Sequence, residues 1–219
     1  MAVEVKFCGL TRPEDAVRAA ELGARFVGVI LAGGPRTLTL PQARSVLGAA
    51  HGPERVAVVG HGAPADLAAQ ATAAGADIVQ LHGDPTDADI AAIRRSFGGR
   101  IWAVVRVGQT GLPPSTAAVF DAADAVVLDA HVPGRLGGTG VRFDWRAIAD
   151  ALSSLRGRAR LVLAGGLTPD NIVEALDQLG PDVVDVSSGV ESSPGVKDPD
   201  RMRRFAHAVS TWQSPPRAR

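Results

Sequence analysis

The feature that most constrains this chain is an alternation repeated eight times. Each unit is a short apolar, β-branched run followed by an Ala/Leu-rich stretch with the period of a helix. The runs are "VEVKFC" (3–8), "FVGVIL" (26–31), "RVAVVG" (55–60), "DIVQLH" (77–82), "IWAVVRV" (101–107), "AVVLDA" (125–130), "RLVLAGG" (160–166) and "DVVDVSSG" (182–189). The helical stretches between and after them are "PEDAVRAAELG" (13–23), "PQARSVLGAA" (41–50), "PADLAAQATAAG" (64–75), "TDADIAAIRRSFG" (86–98), a weak one at "PSTAAVFDAA" (114–123), "DWRAIADALSSL" (144–155), "TPDNIVEALDQLG" (168–180) and "DPDRMRRFAHAVSTW" (198–212). Strands that read as near-continuous apolar runs are buried on both faces, as in a parallel sheet. Right-handed crossovers through helices join such strands, and eight units suffice to close a (β/α)8 TIM barrel. The rival is an open doubly wound sheet. It usually carries G-x-G-x-x-G after its first strand, and "CGLTRPED" does not fit that pattern. No linker divides the chain, so a single α/β barrel domain is expected over 1–213, with "SPPRAR" (214–219) as a frayed tail.

Composition narrows the function classes. The 219 residues are 46% hydrophobic and 21% charged with a formal net charge of zero. That balance offers no broad basic surface for nucleic acid or acidic membranes. The single cysteine, Cys8, excludes an internal disulfide framework and a thiolate zinc site. The N-terminus lacks a basic segment followed by a long apolar one, and no run approaches the roughly 18 to 20 apolar residues of a membrane span. A cytoplasmic protein with no nucleic-acid or membrane partner is expected.

The barrel also says where to look for chemistry. Active sites in this fold form at the C-terminal strand ends and the loops after them. The polar residues there are Cys8, Arg36 in the following loop, His82, Asp129, Asp185 and Ser187. Strand side chains alternate between faces. If Val5 and Phe7 face the helices, then Lys6 and Cys8 face the interior, and the same alternation turns Asp129, Asp185 and Ser187 inward. A thiol and a carboxyl aimed at one pocket form an acid–base pair. A free thiol has a pKa of roughly 8.5, and Lys6 is placed to supply positive charge that favours the thiolate. An Asp acid needs the opposite shift, from burial or a nearby negative charge. Cys8 also has the plain reading of a small core residue. His82 is either a substrate contact or a structural histidine hydrogen-bonded under the site, and His131 has the plain reading of a loop residue. Trp102, Trp145 and Trp212 read as packing residues. Three glycine-rich stretches follow strands 6, 7 and 8: "GGTG" (137–140), "AGG" (164–166) and "SSG" (187–189). Loops after strands 7 and 8 commonly bind phosphate in this fold, since Gly admits backbone N–H groups close to oxygens and Ser adds hydroxyls. A phosphate is expected at Gly165, Gly166, Ser187, Ser188 and Gly189.

Taken together, "KFCGLTRPEDA", "PRTLT", "VQLHGD", "VVLDAHVPGRLGGTGVRFDW", "LAGGLTPDNIVEAL" and "VDVSSGVESSPGVKDP" resemble the N-(5′-phosphoribosyl)anthranilate isomerase family, over about residues 4 to 207. The resemblance implies an Amadori rearrangement of a phosphorylated small molecule. It places the general base on Cys8 and the general acid on Asp129. Arg36 falls near the anthranilate carboxylate and Asp185 at the anthranilate amine. It implies no metal and no organic cofactor, and either a monomer or a homodimer. "LAGGPR" (31–36) is smaller than the family's aromatic-Lys-Ser-Pro-Arg stretch, and "VVGHG" (58–62) departs from its usual strand end. Two other readings stand beside it. One is a sister histidine-pathway aldose–ketose isomerase or a dual-substrate barrel, against which the thiol argues. The other is a non-catalytic barrel that binds a phosphometabolite.

Overall fold

A computed structural model describes residues 2–108, 111–129, 145–155 and 157–213. The expected tail at 214–219, His131, the glycine-rich stretch at 137–140 and the side chain of Trp145 lie outside the described residues. Eight strands, β1 (Glu4–Phe7), β2 (Phe26–Ile30), β3 (Glu54–Val59), β4 (Ile78–Leu81), β5 (Arg100–Arg106), β6 (Ala125–Asp129), β7 (Arg160–Ala164) and β8 (Val183–Val186), pair in parallel and in chain order to close a (β/α)8 barrel. Around it run α1 (Pro13–Glu21), α2 (Leu40–Ala49), α3 (Pro64–Ala73), α4 (Asp87–Arg94), α5 (Thr116–Ala122), α6 (Trp145–Ser153), α7 (Ile172–Leu179) and α8 (Pro199–Thr211). A small antiparallel hairpin, β9 (Glu191–Ser193) and β10 (Val196–Lys197), is inserted between β8 and α8.

Local chemistry explains the element ends. Helices α1, α2, α3 and α8 carry Pro in the first turn, where its missing N–H has no intrahelical partner to lose. Helix α7 starts later than its period predicts, at Ile172 rather than 168. Thr168 to Asn171 form a turn instead: the Thr168 N–H donates to Asn171 Oδ1 at 2.8 Å, and Asn171 Nδ2 donates to the Gly166 carbonyl at 2.9 Å. The weak helix at 114–123 is present as the seven-residue α5. Strand β7 stops at Ala164 because Gly165 and Gly166 turn to φ of +90° and +67°. A one-turn 3-10 helix, Ser188–Val190, follows β8.

The register sorts the inward residues into layers drawn from alternate strands. Glu4, Glu54, Arg100 and Arg160 form the floor, with Arg160 donating to Glu4 at 2.6 Å and Arg25 pairing with Glu54 at 2.8 Å. Phe26, Ile78, Ala125 and Val183 lie above it, then Lys6, Val56, Trp102 and Val162. Trp102 meets Phe26 edge-on, with ring centroids 4.8 Å apart. The next sets are Gly28, Gln80, Val127 and Asp185, then Cys8, Val58, Val104 and Ala164, with Ile30, His82, Asp129 and Ser187 at the rim. Outward residues such as Phe7, Val29, Val126, Leu128, Val184 and Val186 join the larger core under the helices, as strand alternation requires. Above the charged floor the interior is apolar apart from Lys6, and it becomes increasingly polar toward the C-terminal strand ends. Among the described residues, no helix is long and apolar enough to cross a membrane.

Among the described residues Trp102 is the largest fully buried side chain, and it packs inside the barrel. Trp102→Ala is expected to lower stability by about 3–5 kcal/mol in urea unfolding. Val17→Ala, on the exposed face of α1, is expected to stay within about 0.5 kcal/mol of the parent. Equal losses at the two positions would contradict an axis held by packing.

Candidate active site

One cavity of about 280 Å³ opens at the C-terminal end of the barrel, and all ten residues singled out in the sequence line it. Cys8 reaches it from the end of β1, Arg36 from the β2–α2 loop, His82 from the end of β4 and Asp129 from the end of β6. Asp185 comes from β8. Gly165 and Gly166 follow β7, and Ser187, Ser188 and Gly189 follow β8. Ile30, Val58, Val104 and Val127 supply apolar wall between them.

The deepest polar group is the Lys6 ammonium. It is fully buried and donates to Asp185 Oδ2 at 2.8 Å, across the β1–β8 seam. Burial pulls the Lys6 ammonium down, but Asp185 and the neighbouring Cys8 more than offset that, so it sits above its usual value. Cys8 is the next inward residue on the same strand. Burial pushes its thiol up, and the pull of Lys6 in the other direction does not compensate. Lys6 is thus placed where the sequence puts it, yet the resting thiol is held protonated rather than ionised. Room for both side chains comes from Gly28 on β2: a Cβ there would lie 3.1 Å from Cys8 Sγ and 3.3 Å from Lys6 Nζ.

Three buried polar atoms on the cavity wall have no hydrogen-bond partner among the described residues: Gln80 Oε1, His82 Nδ1 and Asp185 Oδ1. A molecule bound in the cavity can supply the partners these atoms lack. For His82 the unpartnered nitrogen is Nδ1, on a residue that lines the cavity. Burial, and then Arg106, holds its imidazole below the usual value, so it is neutral at pH 7. Arg106 Nη2 donates to the His82 carbonyl at 2.7 Å, and Arg106 is the register neighbour of Asp129.

The glycine-rich wall needs its glycines. A Cβ on Gly189 would lie 1.8 Å from the Leu167 carbonyl oxygen, so the β7 and β8 loops touch through backbone alone. Gly9, directly after Cys8, has φ of +65°, and a Cβ on it would lie 2.7 Å from both Arg36 Cδ and Ser187 Oγ. Arg36 is held by Glu191 through two hydrogen bonds, Nε to Oε1 at 2.7 Å and Nη2 to Oε2 at 2.6 Å.

Gln80, Gly28 and Glu191 were missed by the sequence reading. Gln80 had a signal, since it is the inward polar residue two before His82 in "DIVQLH". Gly28 and Glu191 had none, because their importance rests on neighbours far away in sequence. Among the described residues no group of three or more His, Cys, Asp or Glu side chains is arranged to hold a metal ion.

Comparison with known proteins places this geometry. Residues 5–208 match the family model described as N-(5′-phosphoribosyl)anthranilate (PRA) isomerase. A Pseudomonas fluorescens (strain Pf0-1) N-(5′-phosphoribosyl)anthranilate isomerase is 40% identical over 215 residues, covering 95% of this chain and 98% of that relative. The solved phosphoribosyl anthranilate isomerase from Thermotoga maritima superposes with a TM-score of 0.82 at 31% identity, covering 96% of this chain and all of that one. A second solved isomerase, in complex with reduced 1-(o-carboxyphenylamino)-1-deoxyribulose 5-phosphate, superposes with a TM-score of 0.79 at 29% identity, covering 96% of this chain and 100% of that one.

The raised thiol has a stability consequence. A group whose folded pKa lies above its unfolded value adds stability below the unfolded value, here about 9.0, and loses it as pH rises through the folded one. Wild type is therefore expected to lose stability relative to Cys8→Ser as pH rises from 8 to 10, read from urea midpoints. A gap that stays constant over that range would contradict a buried, protonated thiol.

Proposed function

The chain belongs to the N-(5′-phosphoribosyl)anthranilate isomerase family, and from that premise we propose that Cys8 and Asp129 are the base and the acid of its reaction. The protein is an isomerase of tryptophan biosynthesis that performs the Amadori rearrangement of N-(5′-phosphoribosyl)anthranilate. The reaction needs two proton transfers on one small substrate, and a carboxyl and a thiol on facing strands are suited to both.

In this reading Asp129 donates its proton to the furanose ring oxygen. The C1′–O bond breaks, and the anthranilate nitrogen lone pair forms a C1′=N iminium. Cys8 then removes the C2′ proton. The C–H electrons form C1′=C2′, the iminium pair returns to nitrogen, and the enolamine tautomerises to the 2-ketone. The raised thiol pKa suits this order. Opening the ring creates a positive charge beside Cys8, and a nearby cation favours the thiolate at the step that needs it. Lys6 adds a second positive charge from below. Asp185 offers its unpartnered Oδ1 to the anthranilate N–H, and the Arg36 guanidinium meets the anthranilate carboxylate. His82, neutral, offers Nδ1 to a sugar hydroxyl. The 5′-phosphate sits at Gly165, Gly166, Ser187, Ser188 and Gly189, where two loops meet through backbone. The observation that carries the reading is that Cys8 and Asp129 both line one cavity. The relative solved in complex with reduced 1-(o-carboxyphenylamino)-1-deoxyribulose 5-phosphate supports a ligand of that chemistry for this fold.

Phosphoribosylanthranilate generated in situ would be followed by the decay of its fluorescence. Wild type is expected to turn it over, with losses of about 10²-fold or more in kcat for Cys8→Ser and for Asp129→Asn. Turnover that survives Cys8→Ser would give the base to another group. Preference for the histidine-pathway aminoaldose in a side-by-side assay would overturn the substrate. Phosphate-ester binding without turnover of either would leave a binding barrel.

A further inference from the structure

The β9–β10 hairpin lies outside the barrel, yet it carries two buried ionisable side chains, Glu191 and Lys197. Lys197 Nζ donates to Glu191 Oε1 at 2.8 Å. The same carboxylate takes both hydrogen bonds from Arg36, at 2.7 and 2.6 Å. Lys197 Nζ also donates to the Ser187 carbonyl at 3.1 Å and lies 3.4 Å from Ser187 Oγ. The loop after β1 is tied to the same hairpin. Thr11 Oγ1 donates to the Gly195 carbonyl at 2.5 Å, and the Lys197 N–H donates to Asp15 Oδ2 at 3.3 Å. Asp15 is itself gripped by Arg12 through two bonds of 2.9 and 2.8 Å. One short hairpin thus joins the loop carrying Cys8, the loop carrying Arg36 and the loop carrying Ser187.

Buried ion pairs are a poor way to gain stability, because desolvation offsets most of the attraction. A hairpin with apolar contacts would hold three loops at lower cost. What a carboxylate adds is geometry. A two-bond grip on the Nε–Nη2 edge fixes the plane of a guanidinium, which a nonpolar contact does not. Burial pushes the Glu191 carboxyl up, but Arg36 and Lys197 together more than reverse this and hold it below its usual value, so it is ionised at neutral pH.

We propose that Glu191, backed by Lys197, is a positioning residue that fixes the Arg36 guanidinium on the cavity wall with its Nη1 side left for the substrate carboxylate. This rests on the functional reading above and adds to it a residue that touches no substrate. The hairpin is then part of the machinery that recognises substrate, and its effect passes through Arg36. The same cluster keeps Ser187 beside Arg36, across Gly9, so the carboxylate and phosphate contacts stay at a set separation.

The test is a double-mutant cycle in the phosphoribosylanthranilate assay, with wild type, Glu191→Gln, Arg36→Lys and the double variant, and folding followed by thermal melting. Glu191→Gln is expected to raise KM about tenfold with kcat within about threefold of wild type. Arg36→Lys keeps the charge, loses the two-bond grip and is expected to raise KM by a similar factor. The double variant is expected to be no worse than the worse single one, because both changes remove one interaction. A merely structural role would lower the melting temperature and leave the KM of the folded fraction unchanged, and that would overturn the proposal. So would losses that multiply in the double variant. If Glu191→Gln does not fold, Arg36→Lys decides: a KM equal to wild type would overturn the proposal. Wild type without turnover would overturn the functional reading and this proposal with it, whereas an active wild type with multiplying losses would overturn this proposal alone.

Discussion

The seam between β1 and β8 is where the fold and the chemistry meet. Closing the barrel sets Lys6 opposite Asp185, both pointing inward, at 2.8 Å. A lone ammonium in that interior would be untenable, and removing one partner of such a pair costs about 3–5 kcal/mol. The pair therefore fixes the closing register. A slip of one residue would turn Lys6 to the outer face and an apolar residue inward. The same register aims Cys8 at the mouth one layer above, with Asp185 beside it. The strand pairing that closes the barrel is also the one that assembles the thiol and its charged neighbours.

The layers divide the labour along the barrel axis. The floor is a half-exposed set of Glu4, Glu54, Arg100 and Arg160, whose individual pairs add little in water. The stability lies above it, in Phe26, Trp102, Val162 and their neighbours, and in the larger core under the helices. Toward the mouth, apolar residues give way to Gln80, Cys8, His82 and Asp129. Glycine takes over wherever two groups must approach closely: Gly28 beside Cys8 and Lys6, and Gly189 against the Leu167 carbonyl. A site of this kind is made by giving up packing at the top of a barrel whose lower half does not need it.

Much of this was legible in the sequence because it depends on local period. Eight apolar runs separated by helical stretches specify a parallel closed sheet, and alternation within "KFC", "VVLD" and "DVVDVS" says which side chains turn inward. The ten candidate site residues, picked out by this alternation and by the strand-end and glycine-loop rules, line one cavity, whereas Lys6, turned inward by the same alternation, is fully buried. What was not legible depends on distance across the fold. The late start of α7 follows from Asn171 bonding back to Thr168 and Gly166, a turn that competes with a helical period that looks unbroken. The net effect on the Cys8 thiol follows from how much water the barrel excludes, which no spacing reveals. Glu191 is 155 residues from Arg36, and nothing in "ESSPGVK" marks its carboxylate as the partner of that guanidinium.

The three unpartnered atoms of Gln80, His82 and Asp185 connect these points. All three residues line the cavity at the barrel mouth, where a bound molecule can supply the partner that no described residue supplies. In the layer below Gln80 and Asp185, Val56, Trp102 and Val162 pack around the buried ammonium of Lys6, which Asp185 pairs. The buried thiol belongs to the same account. Burial favours its protonated form, and in the proposed mechanism the charge that favours the thiolate arises when substrate opens beside it. In the proposed reaction a ligand with an amine and hydroxyls gives these polar atoms partners, and its transient positive charge favours the thiolate. In the proposed reaction, binding and proton transfer draw on the same small set of inward residues at the strand ends, and the apolar side chains between them and the charged floor remain close-packed.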